Sequence, residues 1–307
     1  MIKKVNQLLS EYRAGNCSKN DSVIINCNGI NGLDVYNPTA PFLYKGEVYM
    51  AGRVEARDSE DSQTMFFKQI GTWDYILEPA FGTYKLQDPF LTSVGSYYIF
   101  GGTETFTVPD EPGKLNWRTL LYYGKELEEL KHLTYGPIGM KDIRLVDMKD
   151  SGVGLFTRPQ GLIGGRGKIG FTKIKSLTDL TTKRMEEAAI LEQFDDSEWG
   201  GCNEIIYLNN GKLGVLGHIA AFSEYNVRHY YPMVFCLDPE TLTCSDIRII
   251  AERKDFLPGP FKRKDLIDVL FSAGFIRHGN GFGTLYVGVS DAQIQAMDME
   301  DPFIEYE

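Results

Sequence analysis

The side chains best placed to do chemistry in this chain recur at similar distances from a turn glycine. Arg53 lies seven residues after Gly46, His218 seven after Gly211, Arg158 six after Gly152 and Glu104 nine after Gly95, while Ser290-Asp291 closes the apolar run that follows Gly281. A second polar set precedes the glycines: Asn37 by nine residues, Asp88 by seven, Asp142 by ten and Glu204 by seven. Charges at the end of a buried strand are costly unless they are paired or functional, so their repetition carries information. If the strands line one axis, both sets converge on one hollow, with a carboxylate to act as an acid and several cations to hold an anion.

Each residue also has a plainer reading. Asp88 precedes Pro89, and Asx-Pro is a common turn. Arg53 and Arg158 can pair structurally with Glu55, Glu104 or Asp142. His218, beside Gly217 in an apolar run, reads as a satisfied core histidine. The shared offset from the glycines favours the functional reading.

The elements that must position these groups follow from the same repeat. Glycines 46, 95, 152, 211 and 281 each precede a short apolar strand, at separations of 49, 57, 59 and 70 residues. A glycine suits the left-handed backbone of a hairpin turn. Stretches such as Tyr97-Tyr98-Ile99-Phe100 and Val215-Leu216-Gly217 alternate little, as expected of strands covered on both faces. Five loose copies with loop insertions predict an all-β, five-bladed β-propeller. It is expected as one domain over 1–307, with a helical extension over 1–15 carried by Ile2, Val5, Leu8, Leu9 and Tyr12. A second, surface helix is expected over Thr182–Phe194; the stretch to Asp196 either rims the pocket or serves a homo-oligomer contact.

Composition narrows the partners. The formal net charge of −10 argues against nucleic acid and anionic membrane. Cys17, Cys27, Cys202, Cys236 and Cys244 are odd in number and fit neither a disulfide framework nor a zinc site. Four histidines without paired ligand spacing give no reason to expect a metal. Asn6, Gln7, Ser10 and Glu11 interrupt the N-terminal apolar residues, so no signal peptide is read there. No apolar run is long enough to span a bilayer, and a cytoplasmic protein is expected.

The order Asn37-Pro38, Tyr49-Met50-Ala51-Gly52-Arg53-Val54-Glu55, Gln87-Asp88-Pro89, Lys141-Asp142, Thr157-Arg158-Pro159, Gly217-His218 and Tyr286-Val287-Gly288-Val289-Ser290-Asp291 resembles the five-bladed β-mannoside phosphorylases (glycoside hydrolase family 130-like). Trp199-Gly200-Gly201-Cys202-Asn203-Glu204 and Arg228-His229-Tyr230-Tyr231-Pro232 bring it nearer the mannosyltransferase/phosphorylase group acting on β-1,2-linked mannose. The resemblance runs from about Asn37 to Asp291. It implies an inverting mechanism with the acid at Asp88. It also exposes a departure: those relatives read Asp-Pro-Arg, where this chain has Phe90.

Inverting hydrolysis needs a second carboxylate to activate water, whereas phosphate is its own nucleophile and needs a cationic cradle. Propeller glycosidases that hydrolyse usually offer an Asp base in the first blade. Here Asn37 stands there, and an amide cannot take that proton. The expected assignment is a phosphorylase with Asp88 as acid, with Arg53, Lys141, Arg158 and His218 on phosphate. Asn37, Asp142, Asn203, Glu204, Asp291 and Glu104 serve the sugar, with Trp199 and Tyr36 packing on its faces. No cofactor is expected; inorganic phosphate is the co-substrate and an oligosaccharide or sugar 1-phosphate the partner. The alternatives are an inverting hydrolase with Glu204 or Asp142 as base and a non-catalytic sugar-binding propeller. Transfer from a nucleotide-sugar is a minor option, for no Gly-rich diphosphate cradle is present.

Overall fold

The computed structural model describes residues 2–15, 18–107 and 115–307. After β1 (Val23–Asn28), its strands fall in chain order into five antiparallel units. The first holds β2 (Asp34–Tyr36), β3 (Phe42–Tyr44), β4 (Glu47–Glu55), β5 (Gln63–Gln69) and β6 (Asp74–Leu77), with β2 and β3 both pairing with β4. The second is β7 (Gln87–Val94), β8 (Tyr97–Thr107), β9 (Leu115–Gly124) and β10 (Lys131–Tyr135). The third is β11 (Arg144–Asp147), β12 (Val153–Thr157), β13 (Ile169–Ile174) and β14 (Ala189–Leu191). The fourth is β15 (Trp199–Tyr207), β16 (Leu213–Phe222), β17 (Arg228–Leu237) and β18 (Arg248–Ile249). The fifth is β19 (Asp268–Arg277), β20 (Phe282–Val289) and β21 (Gln293–Glu300). β1 completes the fifth unit by pairing antiparallel with β21, and it also pairs in parallel with β6. One strand from early in the chain thus joins the last unit to the first, and a parallel pairing of β17 with β19 joins the fourth to the fifth, so these three units form one 13-stranded sheet and the other two are four-stranded sheets.

The five turn glycines do what the repeat predicts. Each sits at positive φ in the turn that leads into the strand expected after it: 84° at Gly46, 58° at Gly95, 93° at Gly152, 81° at Gly211 and 90° at Gly281. The strands that follow are largely buried, as the lack of alternation requires; β12 is buried throughout, as are eight of the ten residues of β16. The apolar residues make clusters between neighbouring units, such as Phe90, Ile143 and Leu155 between the second and third.

The N-terminal helix α1 (Val5–Ala14) docks Val5, Leu8 and Leu9 against β16 and β18 residues such as Leu213 and Ile249. Glu198 Oε1 accepts from Val5 N at 2.8 Å at its start. A one-turn α2 (Gly161–Gly164) follows β12. The helix expected over Thr182–Phe194 is α3, only Thr182–Glu186; Ala189–Leu191 is instead the fourth strand of its unit, paired with β13. The open edge of β13 supplies backbone partners that outweigh a weak helical preference. Cys27, Cys202, Cys236 and Cys244 are free thiols, and Cys17 lies outside the described residues. No helix among the described residues is long and apolar enough to cross a membrane.

Candidate active site

Four of the polar residues that precede or end the strands share an unusual backbone. Asn37, Asp88, Asp142 and Asp291 have φ of 44°, 50°, 58° and 50°. Asn and Asp tolerate this left-handed region better than other side-chain-bearing residues. Asp88 and Asn203 each sit in a break of register, between Gln87 and Phe90 and between Cys202 and Glu204. Such bulges re-aim a side chain.

Asp88 is the centre of one group. Its Oδ1 accepts from Asn37 Nδ2 at 2.9 Å and from Arg53 Nη1 at 3.3 Å. Asn37 Nδ2 also donates to Asp291 Oδ1 at 3.2 Å, tying the last unit to the first two. Burial raises the pKa of Asp291 against the pull of Arg53, and Asp88 adds to the rise. Gly288 permits this approach, since a Cβ there would lie 1.9 Å from Asn37 Oδ1.

Asp142 is the centre of the other. Arg158 Nη1 donates to its Oδ2 at 2.8 Å, and Arg144 Nη2 stands 3.9 Å from Oδ1. Burial works to raise the pKa of Asp142, but Arg158, Lys141 and Arg144 outweigh it and hold the carboxyl below the usual carboxylate range. Arg158 Nε donates to Gly200 O at 2.6 Å. His218 Nδ1 lies 2.9 Å from Asn203 Oδ1, and Ser272 Oγ reaches the same atom at 3.1 Å. Gly201 leaves the room this needs: a Cβ there would meet Arg158 Cδ at 2.9 Å and His218 Cε1 at 3.1 Å. The two groups meet through Arg144, whose guanidinium covers the Phe90 ring at 4.4 Å and donates to Asn203 O at 2.8 Å. The aromatic residue that replaces arginine after Asp-Pro therefore supports an arginine from the next unit.

Beside the second group opens a cavity of 760 Å³ whose lining includes Lys141, Arg158, Arg166, Arg228, Trp117, Trp199 and Tyr230. Glu186 is the one carboxylate residue among its lining residues. A cationic hollow in a chain of net charge −10 is an anion site in outline. Asn37 Oδ1, Asn203 Nδ2 and His218 Nε2 are buried polar atoms with no protein partner, and such atoms are costly unless something else binds them.

Several expected roles change. Arg53 is not a free phosphate fork: Nε donates to Ser62 Oγ at 2.9 Å, Nη1 holds Asp88, and Nη2 donates to Glu55 and Glu60, each at 3.3 Å. It holds the Asp88 carboxylate in place. His218 is not a cation, because burial and the neighbouring Arg158 push its pKa down to about 3. Tyr36 has no exposed surface for a sugar; its hydroxyl donates to Glu55 and its ring lies 5.0 Å from the Arg53 guanidinium. Glu104 stands apart, accepting from Arg118 Nε at 2.7 Å; the buried neighbour Thr103 takes the inward position, and strand alternation turns Glu104 away. Glu204 is likewise displaced: Asn203 fills the polar position, and Glu204 accepts from Phe275 N at 2.6 Å, with burial raising its pKa to about 7. Trp199 and Lys141 do line the cavity.

Four residues went unassigned in the sequence. Arg144 stood within the Lys141-Asp142-Ile143-Arg144 motif and could have been weighed there. Arg166, Lys262 and Ser272 gave no local signal; Lys262, for example, reaches Glu55 from a loop 207 residues away in sequence. No group of three or more His, Cys, Asp or Glu among the described residues is arranged to hold a metal.

The solved structures that this fold resembles make the chain a glycosyl-transfer enzyme. The chain belongs to the family described as protein of unknown function DUF1861, whose model matches residues 11–305. It is similar in structure to MPT-4, a mannose phosphorylase from Leishmania mexicana solved in complex with a phosphate ion, at 31% identity over 97% of this chain and 93% of that one, with a TM-score of 0.89. It is similar to MPT-1, a GDP-Man-dependent mannosyltransferase from the same organism, at 29% identity over 98% and 95%, also with a TM-score of 0.89. The fold extends to a β-1,2-mannobiose phosphorylase from Listeria innocua, at 15% identity over 96% and 95% and a TM-score of 0.63. The curated proteins include no match.

Proposed function

We propose that the five units are the blades of a five-bladed propeller and that the chain is an inverting phosphorylase of β-mannosides, with β-1,2-linked manno-oligosaccharides as substrates. The observation that carries this reading is the cation-lined cavity bordered by Arg158, the partner of Asp142. Lys141, Arg158 and Arg166 gather there, where an incoming phosphate would need them. A phosphate oxygen attacks the anomeric carbon as the glycosidic bond breaks. The departing oxygen takes a proton from Asp88, directly or through a sugar hydroxyl. A single displacement turns a β-mannoside into α-mannose 1-phosphate.

Neither carboxylate weighed as the base of a hydrolase is free for it: Asp142 is bound to Arg158 and Glu204 to the Phe275 amide. A second reading, transfer from a nucleotide-sugar, draws on the aromatic and cationic lining beyond what one phosphate needs: Arg166 lies 5.3 Å from the Trp199 ring and 4.5 Å from that of Phe222.

The test is product analysis with β-1,2-mannobiose, with and without inorganic phosphate. Mannose 1-phosphate that forms only when phosphate is present supports the reading. Free mannose released at the same rate without phosphate overturns it. GDP-mannose replacing mannose 1-phosphate as donor in the reverse direction selects the second reading.

A further inference from the structure

We infer that Ser272, acting through the Asn203 amide, fixes His218 in the tautomer that carries its proton on Nε2 and presents that N–H to the bound anion. The functional half of this inference rests on the phosphate reading above; the tautomer does not.

The argument is one of proton counting. Ser272 Oγ donates to Gly217 O at 2.6 Å, and a carbonyl can only accept. A hydroxyl has one proton, so toward Asn203 the Ser272 oxygen offers only lone pairs. The amide atom 3.1 Å from it, occupied by Oδ1, also lies 2.9 Å from His218 Nδ1. The two ends of an amide have the same shape and are assigned by their hydrogen bonds. With the NH₂ end at this point, one proton goes to Ser272 and the other to His218 Nδ1. The ring must then accept at Nδ1 and hold its own proton at Nε2. With oxygen there instead, Ser272 and Asn203 face each other through lone pairs.

His218 Nε2 is itself buried and has no protein partner, and the ring is held by Tyr230, stacked at a centroid distance of 5.3 Å. Burial, with Arg158, Lys141 and Arg144 beside it, outweighs the opposing pull of Asp142 and leaves the imidazole neutral at neutral pH. A neutral ring serves an anion only as a donor, and this tautomer makes it one. Ser272 is a positioning residue, since it touches Asn203 and Gly217.

The test is a long-range proton–nitrogen spectrum of the full chain labelled with ¹⁵N-histidine, recorded without phosphate. The His218 signals are identified by their loss in His218→Gln. The expected wild-type pattern has protonated Nε2 and bare Nδ1; the reverse pattern overturns the inference. Asn203→Asp, whose carboxylate can only accept, should move the proton to Nδ1 and raise the KM for phosphate about tenfold to hundredfold, with a smaller change in kcat. Ser272→Ala should mix the two tautomers, and a pure Nε2–H pattern in that variant removes Ser272 from the account. An altered tautomer in Asn203→Asp with an unchanged phosphate KM overturns the anion-donor role. Wild-type Nε2–H in an enzyme that neither binds nor uses phosphate leaves the tautomer standing and sinks the phosphate reading instead.

Discussion

Asn37 Nδ2 donates to Asp88 Oδ1 across 2.9 Å, and both residues hold a left-handed backbone to do so. This contact joins the turn after β2 in the first unit to the start of β7 in the second. It puts an amide where a hydrolytic propeller would place a base, beside the proposed acid. Asp88→Asn keeps the size and the backbone preference of the residue but removes the transferable proton. Turnover should fall about 10²–10⁴-fold with the circular dichroism spectrum unchanged. Activity within a factor of a few of wild type would remove Asp88 from the acid role.

Lys141 lines the cavity and is only half-buried, so its removal should leave the fold intact. Lys141→Ala is expected to raise the KM for phosphate about tenfold, as the loss of a hydrogen bond to a charged group does, with less effect on the KM for the sugar. Initial rates at varied phosphate measure this.

Asp142 neutralises a buried arginine pair. Asp142→Asn retains the left-handed backbone but leaves Arg158 and Arg144 uncompensated. Breaking a buried ion pair from one side costs about 3–5 kcal/mol, which urea unfolding should report. A loss under about 1 kcal/mol would mean that water, and not the carboxylate, balances these arginines.

Gly288 abuts Asn37, where a Cβ would come within 1.9 Å of Oδ1 and 2.6 Å of the backbone nitrogen. Gly288→Ala must therefore push the Asn37 loop away. We expect destabilisation of about 1–3 kcal/mol and a fall in kcat/KM in the protein that still folds. Full activity in that variant would show that the Asn37 contact has no part in turnover.

Glu204 has a folded-state pKa of about 7 against 4.5 for the unfolded chain. The folded state therefore holds the proton more tightly. The stabilisation this gives is complete below pH 4.5 and is lost as pH rises through 7. His218 acts in the opposite sense, costing stability as pH falls from 6.5 toward 3. Glu204→Gln can still accept from Phe275 N and removes the first effect alone. Its stability relative to wild type should rise by roughly 1–3 kcal/mol between pH 5 and pH 8 in urea titrations. A constant difference across that range would contradict the buried-acid assignment.

Local sequence determined the hairpins and much of the chemistry. A glycine between two apolar runs needs no distant partner to turn, so all five turns were legible. Asp88, Asp142, Arg158 and Asn37 stood out because polar groups at the ends of apolar strands are conspicuous. The tertiary structure decided which of these groups are free to act. Arg53 looked like a phosphate ligand until Ser62, Glu55, Glu60 and Asp88 took its nitrogens. His218 looked like a cation until burial beside Arg158 stripped its charge. Glu204 and Glu104 were one strand position from the inward side, and a bulge or a single-residue alternation turned them away. Ser272 and Lys262 reach Asn203 and Glu55 across sequence separations of 69 and 207. Pairing over such distances is set by how the sheets close on one another, and no local pattern of residue types encodes it.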